Sequence, residues 1–271
     1  MSGQNKDRKI KMLRAVWAAK WYLILGLLTF TFVLVVTTPI HFVWRYVEPM
    51  LGNDMPVQLQ QPVGTLWNGS LVINSPYTGP VKTEWMLSPL PLVFGQVELT
   101  LNANGENLRL DGLSEVSGVF SGTPERVTLT DVNGYLDSDV LKAFLMQQRT
   151  VLDGQFELSG LNADVSIAQS QVLNASGQLT YSGGELKARV QNQSIATELP
   201  MLVATMQMDG DKVVVPVVTA DGDPLGQMYI QPDGWGGVSV LRRAVDIAGQ
   251  EWPDKQADAD TVIFEVSQKF L

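Results

Sequence analysis

From Val57 onward the chain sets apolar against polar residues with a period of two. Val97, Leu99 and Leu101 interleave with Glu98, Thr100 and Asn102, and Val81, Thr83, Trp85 and Leu87 interleave with Lys82, Glu84 and Met86. Side chains of a strand point alternately to its two faces, so this pattern predicts half-buried β-strands. Similar short runs recur at 108–110, 127–129, 155–158, 178–181, 213–218, 227–230 and 261–266, divided by Gly, Asn and Asp turns. One segment has helical spacing instead. Asp137 or Ser138 caps a helix whose apolar face is Val140, Leu141, Phe144 and Leu145, ending near Gln148. A fainter helical pattern covers Leu241 to Ala248. The fold expected is mainly β, with antiparallel sheets that are stacked or jelly-roll-like and one or two short helices.

Two stretches echo each other. Gly64–Leu71 and Gly177–Leu186 each place G-x-L before an aromatic residue, a glycine turn and a further strand, the second with a two-residue insertion. This reads as a repeated hairpin, and as an internal duplication with halves 63–150 and 151–271.

The N-terminal pattern is different in kind. Residues 21–44 contain no Asp, Glu, Lys or Arg. As a helix rising 1.5 Å per residue they reach roughly 36 Å, enough to cross a bilayer core with some tilt. Ahead of them Lys6, Arg8, Lys9, Lys11, Arg14 and Lys20 face the single acid Asp7, a formal charge of +5 that keeps the N-terminus cytoplasmic by the positive-inside bias. A cleaved signal peptide has a shorter apolar core and a small-residue cleavage site, and Thr37-Thr38-Pro39-Ile40-His41-Phe42 offers none. Trp21, Tyr22 and Trp44 flank the span, where amphipathic rings settle among headgroups. The organisation expected is a cytoplasmic basic segment at 1–20, a transmembrane signal-anchor helix at 21–44, a periplasmic stalk at 45–62 and a periplasmic β-rich domain at 63–271. The stalk rests on Glu48-Pro49, Gly52-Asn53-Asp54, Pro56 and Pro62, with folded structure starting near Val57.

Composition narrows the chemistry. The chain has no cysteine, which excludes thiol catalysis, disulfides, iron–sulfur clusters and cysteine-bound zinc. Beyond the basic segment the charge is −14, and the one basic pair after Trp44 is Arg242-Arg243, which argues against nucleic acid as a partner. The single histidine, His41, stands at the end of the apolar span, so no Ser-His-Asp triad can form in the exported domain. Acidic pairs occur at Asp137/Asp139, Asp209/Asp211 and Asp221/Asp223, but each sits at a turn or cap and none reproduces a twelve-residue calcium loop. Asn68, Asn174 and Asn192 open N-x-S triplets that read as turn and strand residues. No catalytic, metal or cofactor set is expected. Trp67, Tyr77, Trp85 and Trp235 either fill a β core or form a binding surface, and Trp67, Trp85 and Trp235 are the candidate partner contacts.

The order of motifs resembles type II secretion system protein N. The resemblance rests on G-T-L-W-N-G at 64–69, V-K-T-E-W-M-L-S-P-L at 81–90 with the Gly95 turn, A-S-G-Q-L-T-Y-S-G-G at 175–184, E-L-P at 198–200 and D-P-L-G at 223–226. It covers nearly the whole chain behind the apolar span. It implies a non-enzymatic, accessory inner-membrane subunit that supports export of folded exoproteins from the periplasm across the outer membrane of Gram-negative bacteria. The implied partners are inner-membrane platform subunits, the secretin and exoprotein cargo, met by sheet-edge pairing or apolar contact. A competing reading is an anchored lipid-handling envelope module with an apolar trough in its β-sheet. A tethered hydrolase with two converging carboxylates is a third, for which no acid–base spacing is visible.

Overall fold

The computed structural model describes residues 20–34, 36–42, 58–147, 149–190, 193–250 and 257–269. Alternation becomes strands where the sequence predicts them: β3 (Gly79–Ser88), β4 (Gln96–Asn104), β5 (Leu108–Ser117), β6 (Arg126–Asp137), β8 (Gln155–Ser166), β9 (Gln171–Tyr181), β13 (Lys212–Thr219), β14 (Pro224–Ile230) and β16 (Val262–Lys269). Further strands are β1 (Gln58–Gly64), β2 (Asn68–Ser75), β7 (Thr150–Leu152), β10 (Gly184–Val190), β11 (Gln193–Leu199), β12 (Leu202–Asp209) and β15 (Trp235–Leu241). Helices form at Ser138–Gln147 and Arg242–Ile247, as the spacing predicts, and a four-residue one at Pro89–Leu92. Asp137 starts the first of these: its carboxylate accepts the Asp139 amide at 3.0 Å.

Thirteen strands make one sheet in the order β1-β2-β3-β4-β5-β6-β8-β9-β12-β13-β14-β15-β16, and β11-β10-β7 make a second. Every pairing is antiparallel, and the large sheet is a meander in which each strand lies beside the next available one in the chain. This corrects the stacked or jelly-roll expectation. Those folds carry strands across to a facing sheet, whereas the short turns here keep successive strands adjacent. The sheet also runs unbroken across the 150/151 boundary, because β6 pairs with β8.

The repeated hairpin is corrected as well. β1 and β2 do form a hairpin, but Gly177–Tyr181 lies in β9, whose partners are β8 and β12, and the following glycines lead into the small sheet. The cause is local. Ser182 extends the β8–β9 ladder, donating its amide to the Gln155 carbonyl at 2.9 Å and accepting the Gln155 amide on its hydroxyl at 2.9 Å. The chain therefore stays paired to β8 past the point where a hairpin would fold back.

Register makes one face of the large sheet apolar from end to end, since directly opposed residues share a face. Leu59 opposes Ile73, which opposes Val81; Leu87 opposes Leu99, and Ala103 opposes Leu110. Leu108, Leu136, Phe156 and Tyr181 form one row across four strands, and Leu158, Leu179, Ala204 and Val217 form another. Val215, Met228, Val238 and Val266 carry the stripe to β16. The opposite face holds Glu84, Asn102, Asp111 and Asn133, then Gln227, Ser239 and Glu265. Val81, Ala103, Ala175, Ala204 and Val213 are buried on the apolar face, but among the described residues no large side chain is fully enclosed. Toward β16 that face opens, leaving Met228, Val238, Phe264 and Val266 exposed.

Bulges interrupt the ladder between β6 and β8, where Asp131 and Gly160 take positive φ. Asparagine side chains satisfy the amides released there: Asn162 Oδ1 accepts from Asp131 at 3.0 Å and Asn133 Oδ1 from Gly160 at 2.8 Å. Such bulges add coil to the sheet.

Residues 20–34 and 36 are helical, and 40–42 form a helical turn holding His41. Among the described residues no helix is long and apolar enough to cross a membrane, which says nothing of strands. Trp44, the basic segment at 1–19 and residues 43–57 of the expected stalk lie outside the described residues. β1 begins at Gln58, within the 45–62 segment and next to Val57.

Candidate functional site

The G-T-L-W-N-G stretch builds the joint between the N-terminal helix and the sheet. Thr65 Oγ1 accepts the amides of Trp67 at 3.3 Å and Asn68 at 3.2 Å, closing a tight turn between β1 and β2. Gly64 takes φ +105, and a Cβ there would stand 2.5 Å from the Asn68 carbonyl oxygen. Gly69 opposes Trp85, whose ring lies over the glycine so closely that a Cβ would be 2.4 Å from Cζ2. Trp85 Nε1 donates to the Leu66 carbonyl at 3.2 Å, and the Leu66 amide donates to the Thr38 carbonyl at 3.2 Å. Pro39 and Thr65 form a bridge beside it, with Ile40 buried. The turn thus ties Thr38–Ile40 to the first two strands.

This arrangement separates the candidate tryptophans. Trp85 belongs to the apolar face and holds the joint together, with Trp67 beside it in the turn accepting the Leu87 amide at 2.6 Å. Trp235 starts β15 at the same end of the sheet near its opposite flank, and is 43% exposed. Trp21 and Tyr22 are exposed on the N-terminal helix, and Tyr77 is exposed at the other end of the sheet. The three candidate contacts do not form one patch.

Two features that sequence reasoning did not locate are more prominent. The first is a trough along the middle of the apolar face. A cavity of about 330 Å³ lined by Leu108, Leu136, Leu141 and Phe156 and one of about 290 Å³ lined by Ala204, Met206, Val213 and Met228 share Leu158 and Leu179. The second is the outer edge of β16. This strand pairs with β15 alone, and among the described residues nothing pairs with its other side. Its register is regular from Phe264 to Lys269, and Phe264 is 55% exposed. The opposite edge, β1, is blunted by Pro62, the positive φ of Gln61 and a register shift between Gln60 and Val63. The alternation at 261–266 identifies a strand but carries no signal that it is terminal.

The polar clusters are structural. Asp209 pairs with Lys212 at 3.4 Å across a turn, and Arg243 bridges Asp223 at 3.0 Å and Asp260 at 2.8 Å, closing the β13–β14 turn against the approach to β16. Among the described residues no three His, Cys, Asp or Glu side chains gather to hold a metal ion. On the polar face Arg126 and Asp164 form a bidentate pair across β6 and β8, with Nε at 2.5 Å from Oδ1. The guanidinium hydrogen bond, helped by its charge, holds the Asp164 carboxyl below the usual carboxylate range against a smaller opposing effect of burial. A lowered native value means that the pair's contribution is complete above the unfolded carboxylate value near pH ~4 and is lost as pH falls through the native one. Arg126→Gln is therefore expected to be less stable than the parent at neutral pH, with the gap closing on acidification below the carboxylate range. Urea unfolding across that range checks this, and a gap that persists in acid contradicts it.

The family scan agrees with the motif order. A model of type II secretion system protein N matches residues 55–240, more than half of the chain. No curated protein and no solved structure shows a match. The matched region runs from just before β1 to β15, and so contains the sheet's side of the joint, the trough and nearly all of the large sheet. The chain belongs to the type II secretion system protein N family.

Proposed function

We propose that this chain is a non-enzymatic accessory subunit of the type II secretion machinery, held in the inner membrane by residues 21–44 with its sheet in the periplasm. It supports export of folded exoproteins by docking other subunits of the machine, whether platform proteins, secretin or cargo, along the outer edge of β16. The observation that carries this reading is that edge: an outer strand, regular from Phe264 to Lys269, whose Phe264 and Val266 side chains are exposed on the apolar face. Unpaired amides and carbonyls recruit an extended segment from another chain, and alternate side chains give it specificity. The double variant Phe264→Lys, Val266→Lys blunts the edge with charge at two exposed positions. Secretion of exoproteins is expected to fall severely while the protein level and its membrane fractionation stay normal. Unchanged secretion would remove the β16 edge from the mechanism.

A second reading has its own support. The apolar face runs across thirteen strands, no large side chain is fully enclosed among the described residues, and the central trough is large enough for hydrocarbon chains. In this reading the subunit also holds acyl chains inside the secretion machine. Lipid extracted from purified full-length protein and identified by mass spectrometry supports it; protein free of stoichiometric lipid does not.

A further inference from the structure

The turns of the large sheet fall at two ends. At one end lie the β1–β2, β3–β4, β5–β6, β8–β9, β12–β13 and β14–β15 connections. Its first part carries a row of large apolar side chains in solvent: Leu90 is 75% exposed, Phe94 81% and Phe120 75%. These are ordered features. Leu90 lies in the short helix Pro89–Leu92, the Phe94 amide donates to the Pro91 carbonyl at 2.9 Å, and the Phe120 ring packs beside Gly95, linking the two loops. Residues 85–97 and 116–124 contain no Asp, Glu, Lys or Arg. The opposite end holds Glu106, Asp137, Asp153, Asp221 and Asp258.

The end that carries this rim is also the end joined to the N-terminal helix through Thr38 and Leu66. Every side chain described in that helix from Lys20 to Leu34 is exposed. An apolar helix and an apolar rim are thus fixed at one end of one sheet.

We propose that the rim made by Leu90, Val93, Phe94 and Phe120 seats in the surface of the lipid bilayer. A rigid loop tip of this composition gains by burying its side chains at the headgroup–acyl boundary, since residues 85–97 and 116–124 bring no charge into it. Asp209, Asp211 and Asp233 mark the far turns of the same end and stay in water, so the sheet is tilted with its β3–β6 portion lowest. The inference rests in part on reading residues 21–44 as a membrane anchor.

The test uses the full chain, whose lack of cysteine makes single labels clean. Phe94→Cys, Phe120→Cys, Leu28→Cys and Tyr77→Cys are labelled with a nitrobenzoxadiazole fluorophore and reconstituted into phosphatidylethanolamine–phosphatidylglycerol vesicles. Quenching by doxyl-labelled lipid is then read, with Leu90→Cys as an independent rim position. The proposal predicts positions 94 and 120 quenched several-fold more strongly than 77. If 94, 120 and 90 behave like 77 while 28 is quenched, the rim does not touch lipid and the anchor reading stands. If 28 is also unquenched, both fall. Quenching at 94 and 120 without quenching at 28 sustains the rim and removes the anchor.

Discussion

Replacing Gly69 with valine is expected to cost about 3 kcal/mol or more and to free the N-terminal helix from the sheet. A Cβ at this position would lie 2.4 Å from Trp85 Cζ2 and 2.6 Å from the Val63 carbonyl oxygen, so a side chain and the backbone of β1 must both shift. Trp85 cannot move alone, because its Nε1 is bonded to Leu66, which in turn holds Thr38. The damage therefore spreads from β2 to the joint. Gly79 supplies the control: it takes φ +68, and no atom lies within 4 Å of where a Cβ would stand, so Gly79→Ala costs only backbone strain of about 1 kcal/mol. Urea unfolding of the two variants separates the contributions. Equal losses would mean that the Trp85 contact is not what makes Gly69 necessary.

The second large effect concerns the trough. Leu179 stands where its two cavities meet and is 39% exposed, so Leu179→Glu keeps its carboxylate partly hydrated and leaves the fold nearly intact. If the trough holds hydrocarbon, the same carboxylate meets a dry ligand surface, and bound lipid is expected to fall several-fold. Leu173→Glu, an exposed apolar position outside the cavity linings, should leave bound lipid unchanged. Equal lipid in both variants would contradict the acyl-chain reading, and a collapse of stability in Leu179→Glu would show the face to be an ordinary core.

The contrast between these residues explains what the sequence made legible. Clean alternation identified β3 and β4, where Val81 and Thr83 are buried between exposed Lys82 and Glu84. It failed at β2, where Leu71-Val72-Ile73 is apolar without a break, and at β15, where Gly236 and Gly237 interrupt the pattern. The caps at Asp137 and the turns at Asp209 and Asp221 are local chemistry, and local reading found them. Sheet order is non-local: β9 stays against β8 along its length and Ser182 extends the ladder, and only that pairing shows that the chain meanders rather than repeats. The trough and the free edge follow from order, not from composition. Leu158 and Leu179 look like any alternating leucines until the register sets them face to face, and the 261–266 run looks like an interior strand until nothing pairs beyond it. The role of Trp85 is non-local in the same way, since its indole N–H is given to the Leu66 carbonyl in the joint.

Docking through the β16 edge is tested by placing a photo-reactive amino acid at Phe264 in the native host, with matched sites at Leu179 and at Gln60 on β1. Adducts are identified by mass spectrometry after irradiating intact cells. Position 264 is expected to capture a subunit or cargo of the type II secretion machinery, whereas position 60 is not. Capture of secretion components at 60 and not at 264, or lipid alone at every position, would contradict docking through that edge.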